Sequence, residues 1–230
     1  VVNGGTATID VPGEGTWSIP VNAAGVPSSG NLTFTPVMGF TGTSTLTYTV
    51  QDNASPAGTS NVATVRARVG PIPTNDFATT AYNAPVSFPV TGNDTDADGV
   101  DPNTVDLDPG TAGQQTTRTV AGGTFVVNSA GQVTFTPTGT FVGTATIRYR
   151  VRDIYGAQSS NYNDGGGGTI NDLVTNGTIS VLVTTAPPVA VNDTVQTPPN
   201  SVAAGLPAVN VQIPVLANDT DADGPITVSS

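Results

Sequence analysis

The chain has 230 residues and a net charge of −11, with six basic residues, all arginine, against 17 acidic ones. It contains no cysteine and no histidine, which excludes disulfides, thiolate metal sites, thiol nucleophiles and the usual acid–base group near neutral pH. No basic stripe is present to neutralise phosphates, and no run of about 18 apolar residues is present to cross a bilayer, so we expect neither a nucleic-acid partner nor membrane insertion by this segment.

The first 70 residues have the composition of β-structure. Thr and Val, which favour strands, alternate with Gly, Asn and Pro, which favour turns, and no helical periodicity interrupts them. Leu46, Tyr48 and Val50 alternate with polar residues, as in a strand with one buried face. These residues predict an all-β structure.

Residues 71–187 show a regular rhythm of short apolar segments separated by turn residues. Seven or eight strands in about 115 residues favour an immunoglobulin-like β-sandwich. The predicted strands cover about 77–81, 86–90, 103–107, 115–120, 124–128, 132–136, 144–152 and 178–185.

The strand at 144–152 has two readings on its polar face. Ile147, Tyr149 and Val151 predict the buried face, and three arginines alternate with them, namely Arg148, Arg150 and Arg152. The arginines form either a solvated face opposite nearby aspartates or a contact for an anionic glycan.

Residues 155–177 have no counterpart earlier in the chain and include four consecutive glycines at 165–168. Ordering such glycines costs chain entropy, which predicts a long, mobile surface loop. The loop is either a tolerated insertion or a binding loop for a glycan or protein.

Two internal repeats divide the chain. NLTFTPVMGFTGTSTLTYTVQD (31–52) recurs at 132–153 with eleven of 22 positions identical, and FPVTGNDTDADG (88–99) recurs as IPVLANDTDADG (213–224). We therefore predict the back of a first repeat (1–70), a complete repeat (71–187) and the front of a third (188–230). Such a chain is either a window on a longer array or a unit whose front completes the back of the next molecule.

The NDTDADG stretches, the TFTP strands and the strand ends YTVQD and YRVRD resemble the cadherin-like and immunoglobulin-like tandem repeats of giant bacterial adhesins. The stretch YTVQDNASP (48–56) is especially similar to repeats in long surface proteins of gliding bacteria. The resemblance implies export to the bacterial cell surface, adhesion or filament formation, neighbouring repeats as partners, and calcium at domain joints.

Calcium is also favoured by the residues themselves. DTDADG at 94–99 and at 219–224 matches the first half of a Ca²⁺ loop, whereas Val105 and Ser230 stand where an EF-hand needs its bidentate Glu. Further ligands must come from the joints or the strand ends, and the alternative is a set of polar turns without metal. The candidate ligands are Asp52, Asp76, Asp94, Asp96, Asp98, Asp153, Asp193, Asp219, Asp221 and Asp223.

An enzyme is disfavoured. A carboxylate pair could serve a glycosidase, but the aspartates recur in turn contexts and Glu14 is the single glutamate. We predict a structural and adhesive segment forming an extended stalk or filament. The alternative is an adhesin module that binds glycan or protein through the 155–177 loop.

Overall fold

The computed structural model describes residues 5–159, 176–196 and 212–228. The described residues form thirteen strands and no helix, so the prediction of an all-β fold built from immunoglobulin-like sandwiches is confirmed. The predicted insertion loop lies largely outside the described residues, since 160–175 are not among them.

The first region contains five strands in two small sheets. One sheet has the order β1-β2-β3, and β4 pairs with β5 in the other. Their bounds are Gly5–Val11 (β1), Gly15–Val21 (β2), Thr33–Pro36 (β3), Gly42–Tyr48 (β4) and Ala63–Val69 (β5).

The second region is a sandwich of two four-stranded sheets, with orders β6-β13-β12-β8 and β7-β11-β10-β9. The first strand, β6, pairs parallel with the last, β13, and the other pairings are antiparallel. The strands are Asp76–Thr80 (β6), Val86–Pro89 (β7), Val100–Asp106 (β8), Thr117–Val120 (β9), Gly123–Val127 (β10), Gln132–Pro137 (β11), Gly143–Asp153 (β12) and Gly177–Val183 (β13).

The core of this sandwich follows the period-two alternation of its strands. Apolar residues of β12 and β13 that point inward are almost fully buried, while the residues between them are mostly exposed on β12 and half-buried on β13. The buried cluster consists of Val90, Val105, Leu107, Phe125, Val127, Val133, Phe135, Ala145, Ile147, Tyr149, Val151, Ile179, Val181 and Val183.

One predicted strand begins too late. The expectation placed a strand at about 103–107, whereas β8 begins at Val100. The sequence Asp101-Pro102-Asn103 resembles a turn, but Asp101 pairs with Arg152 across a register shift at the end of β12. This irregular pairing with a distant strand outweighs the local turn propensity.

Candidate metal centre

Three of the predicted ligands meet at one end of the sandwich. The loop between β7 and β8 carries Asp96 and Asp98, and β12 ends at Asp153. One carboxylate oxygen from each residue lies within 4.8 Å of the other two. The chain therefore brings together a repeated loop motif and a strand end that are more than 50 positions apart in sequence.

Local hydrogen bonds occupy one carboxylate oxygen of Asp96 and one of Asp153. The Asp98 N–H donates to Asp96 Oδ1 at 2.7 Å. Asp153 Oδ1 accepts from the N–H groups of Tyr155 and Ala157 at 2.9 and 2.7 Å. In each carboxylate one oxygen is thus held by the backbone, and the other is left for a different partner.

The remaining oxygens are buried without one. Among the described residues, Asp96 Oδ2 and Asp153 Oδ2 have no hydrogen-bond partner. Asp153 is only 1% exposed, and a buried carboxylate oxygen without a partner is costly. A bound cation would remove that cost.

The cluster fits Ca²⁺ in donor type and spacing. Calcium prefers oxygen ligands at about 2.3–2.6 Å, so two oxygens on one ion lie at most about 5 Å apart. The mutual limit of 4.8 Å satisfies this condition. Three carboxylates supply part of the six to eight ligands that calcium takes, which leaves positions for water and carbonyl oxygens.

Electrostatics also favour a cation here. Burial, followed by the charges of Asp153 and Asp98, raises the pKa of Asp96, although N–H donors from Asp98 and Gly99 oppose the shift. Carboxylates in this arrangement are destabilised when all are charged. A divalent ion would offset the repulsion.

Asp76 and Asp94 form a second acidic group around Tyr149. The Tyr149 hydroxyl donates to Asp94 Oδ1 at 2.7 Å and lies 3.0 and 2.9 Å from the carbonyl oxygens of Thr74 and Val90. Burial and the two carboxylates raise the pKa of Tyr149 far above its usual range, so the hydroxyl keeps its proton. Sequence analysis assigned Tyr149 to the core and missed this polar role.

The two carboxylates of this group each keep one unpartnered oxygen among the described residues, Asp76 Oδ2 and Asp94 Oδ2. Burial, together with the charge of Asp94, raises the pKa of Asp76 to about 6. Burial likewise raises the pKa of Asp94, against hydrogen bonds from Thr74 and Tyr149. Asp76 and Asp94 thus lie beside the three-carboxylate cluster as a distinct pair.

The sequence model of the bacterial Ig domain family matches residues 2–67 and 69–162, more than half of the chain. The chain belongs to the bacterial Ig domain family. Such domains are typically non-enzymatic modules of structural or adhesive surface proteins. A comparison with curated proteins finds no match. Among the described residues no helix has the length and apolar character needed to cross a membrane.

The first Ig domain contacts the second at the three-carboxylate cluster. The Thr43 hydroxyl donates to Asp98 Oδ2 at 2.5 Å, and the Ala97 N–H donates to Thr41 Oγ1 at 3.2 Å. Gly42 lies between the two threonines with φ of 97°, and a Cβ on it would be 2.8 Å from the Ala97 Cβ. No sequence signal singled out Thr43, because threonine is abundant throughout the chain.

Further contacts extend this interface. The Arg68 guanidinium lies 4.3 Å from the centre of the Tyr155 ring, a cation–π distance. Gly70 lies against the backbone of the second domain, since a Cβ there would be 2.3 Å from the Gln158 carbonyl oxygen. The two Ig domains therefore meet through several specific contacts around the carboxylates.

Residues 188–228 place Asp219 in the same way as the second domain places Asp94. We call the segment just before β6 the first joint and the segment just after β13 the second joint. Ile72 and Thr95 form an isolated bridge at the first joint, and Val189 and Thr220 form one at the second. Thr74 N–H donates to Asp94 Oδ1, and Val191 N–H donates to Asp219 Oδ1, both at 2.7 Å.

The other predicted ligands do not join a cluster of three carboxylates among the described residues. Asp221 Oδ1 accepts from the Asp223 N–H at 3.4 Å, and Asp193 is exposed. Asp52 Oδ1 accepts from the Ala54 and Gly58 N–H groups, in a turn that resembles the one around Asp153.

The arginines of β12 are divided between two environments. Arg150 bonds Asp106 at 2.7 Å and Arg152 bonds the Gly156 carbonyl and Gln158, so both are engaged by their own domain. Arg148 instead lines an open groove of about 490 Å³, which is also lined by the ion pair of Arg118 and Asp108. The anionic-glycan alternative therefore reduces to this groove.

Proposed function

We propose that the chain is a spacer segment of a bacterial cell-surface protein, in which Ig domains follow one another end to end and Ca²⁺ stiffens the joint between them. The observation that supports it most is that Asp96 and Asp153, which cluster with Asp98 at the end of the domain that contacts its predecessor, each carry a buried oxygen without a partner among the described residues. Surface localisation is part of the proposal and is typical of the family.

The position of the cluster suits a stiffening role. Repeats of this kind touch mainly their neighbours, so the stability and angle of each joint depend on few contacts. A cation held by Asp96, Asp98 and Asp153 would order the loop between β7 and β8 and the end of β12 together. Both segments contact the preceding domain, through Thr43 and Arg68 respectively.

Thermal unfolding in EGTA and then in rising Ca²⁺ tests the proposal, with Mg²⁺ at equal ionic strength as the control ion. A ligand that binds only the native state stabilises it by about 2.7 kcal/mol at 100 times its dissociation constant. We expect a rise in melting temperature that is selective for Ca²⁺, because Mg²⁺ prefers a regular octahedral site and keeps its water.

Two asparagine variants locate the effect. Asp153→Asn removes a cluster carboxylate and should abolish the rise, whereas Asp52→Asn alters the matching turn of the first domain, where no such cluster is described, and should leave it intact. Equal melting temperatures of the wild type in EGTA and in Ca²⁺ would refute calcium stiffening.

A second candidate function is binding of an anionic ligand beside Arg148, in the groove that the Arg118–Asp108 ion pair also lines. Its volume lies within the range of small-ligand sites. The first domain has Thr47 at the position that matches Arg148, so Arg148→Thr is the natural variant. Loss of uronic-acid oligosaccharide binding in this variant would support the candidate, and absence of binding by the wild type would exclude it.

A further inference from the structure

We infer that the preceding Ig domain takes part in cation binding: Thr43 positions Asp98, so that Ca²⁺ binding and docking of the preceding domain strengthen each other. The inference rests on the proposed calcium site and goes beyond it, because it assigns a role to a residue of the neighbouring domain. Thr43 acts through Asp98 and is a positioning residue.

The first joint supplies the geometry. Asp98 has one oxygen, Oδ2, bonded to the Thr43 hydroxyl at 2.5 Å, and the same carboxylate belongs to the cluster with Asp96 and Asp153. Thr43 is half-buried in this contact. The hydroxyl therefore fixes the orientation of a carboxylate that the cation needs. Partners that orient a metal ligand commonly change metal affinity by about ten- to a hundredfold when they are removed.

The second joint repeats the arrangement with different chemistry. Asp223 is the third aspartate of its loop, as Asp98 is of the first, and its Oδ2 accepts from the Ala186 N–H at 2.7 Å. The adjacent Ala222 carbonyl accepts from the Tyr82 hydroxyl at 2.7 Å. In both joints the preceding domain holds the third aspartate and the alanine before it. Hydrogen bonds from different partners to the same two loop positions indicate a docking element.

The coupling follows from linkage between two events that share one carboxylate. Without a cation, repulsion among Asp96, Asp98 and Asp153 disfavours the orientation in which Asp98 bonds Thr43. With a cation bound, that orientation is favoured and docking is tighter. Thermodynamic reciprocity requires that docking raise cation affinity by the same factor.

Calcium titration calorimetry on the whole chain measures the effect of docking on Ca²⁺ affinity. Thr43→Val keeps the side-chain shape and removes the donor, and we expect Ca²⁺ binding about tenfold weaker. Thr43→Ser keeps the hydroxyl and should bind like the wild type. Thr144→Val is the matched control, since Thr144 occupies the corresponding position on β12 and is exposed.

Distances between spin labels measure the effect of Ca²⁺ on docking of the two domains. The chain has no cysteine, so labels at Thr47→Cys and Thr117→Cys report one distance between the exposed faces of the two domains. We expect a narrow distribution in Ca²⁺ and a broad one in EGTA. In Thr43→Val the distribution should stay broad at Ca²⁺ concentrations that narrow it in the wild type.

The outcomes separate the two proposals. If the wild type binds Ca²⁺ through Asp153 and Thr43→Val binds equally well, the coupling is wrong and the calcium site stands. Equal weakening in Thr144→Val, or weakening in Thr43→Ser, also overturns the role of the Thr43 hydroxyl. If the wild type binds no Ca²⁺, the proposed site itself fails, and the coupling fails with it.

Discussion

Residues 31–52 and 132–153 share half their sequence but lie in very different surroundings. Tyr149 and Val151 are fully buried, whereas their counterparts Tyr48 and Val50 are 48% and 58% exposed. The strand β12 lies between β13 and β8, while β4 pairs only with β5 among the described strands. The alternation of apolar and polar residues thus indicates which face of a strand can be buried. Whether that face is buried depends on the neighbouring strands.

The largest expected difference between the regions lies in their aromatic pairs. Phe135 is fully buried against Phe125, with ring centroids 4.5 Å apart, while Phe34 is half-buried against Trp17 at 4.9 Å. We expect Phe135→Ala to destabilise the second domain by about 3–5 kcal/mol. We expect Phe34→Ala to destabilise the first by less, because less surface is removed from contact.

Chemical denaturation followed by two probes checks this. The single tryptophan, Trp17, reports on the first region, and circular dichroism reports on all strands. Phe135→Ala should shift the dichroism transition and leave the Trp17 fluorescence transition in place. If Phe135→Ala and Phe34→Ala lowered the free energy of unfolding equally, the difference in burial would not govern stability.

Removing one tyrosine hydroxyl from each region should give a smaller difference in stability between them. In Tyr149→Phe, Asp94 Oδ1 loses its side-chain donor in a part-buried setting, which should cost about 1–3 kcal/mol. Tyr48 is exposed, so Tyr48→Phe should change stability by less than about 0.5 kcal/mol. The urea midpoints of unfolding of the two variants measure this difference. Similar midpoint shifts in Tyr149→Phe and Tyr48→Phe would contradict the prediction.

The smallest expected effect is a pH dependence of the second domain's stability. Burial raises the pKa of Asp76 to about 6 in the folded chain, above its ordinary value of 3.8. The folded state therefore binds this proton more tightly than the unfolded state does. The stability that this proton adds is fully present below the unfolded pKa and is lost as pH rises through 6. In EGTA, the second domain should become more stable as pH falls from 7 to 5.

Asp76→Asn removes this titrating group, so its stability should vary less over the same interval. A wild-type melting temperature that falls between pH 7 and pH 5 would contradict the assignment. Trp17 fluorescence provides an internal reference, since Asp76 lies outside the first region.

Much of the fold could be predicted because it depends on short-range pattern. Alternating apolar residues and glycine-rich turns located the strands of the second domain within a few residues, with β8 as the exception. The pattern could not show that β6 pairs parallel with β13, because that pairing joins segments about a hundred residues apart. Nor could it show the exposure of Tyr48 and Val50, which depends on strands beyond their own segment.

The candidate site was predictable in part for the same reason. The spacing of Asp94, Asp96 and Asp98 identified a carboxylate loop, and the strand-end position of Asp153 suggested a partner. The sequence could not separate Asp94, which bonds Tyr149, from Asp96 and Asp98, which face Asp153. Thr43 gave no signal, because its role exists only where two domains meet.

The parallel pairing of β6 with β13 has a mechanical consequence. The chain enters the domain at Asp76 and leaves it after Val183, and both strands run in the same direction. Tension between neighbouring domains therefore pulls the two strands in opposite directions along their length. Their hydrogen bonds are loaded together, in shear, and must break nearly at once, whereas an antiparallel pair pulled from one end opens bond by bond. A domain connected in this way resists stretching beyond what its modest core alone would suggest.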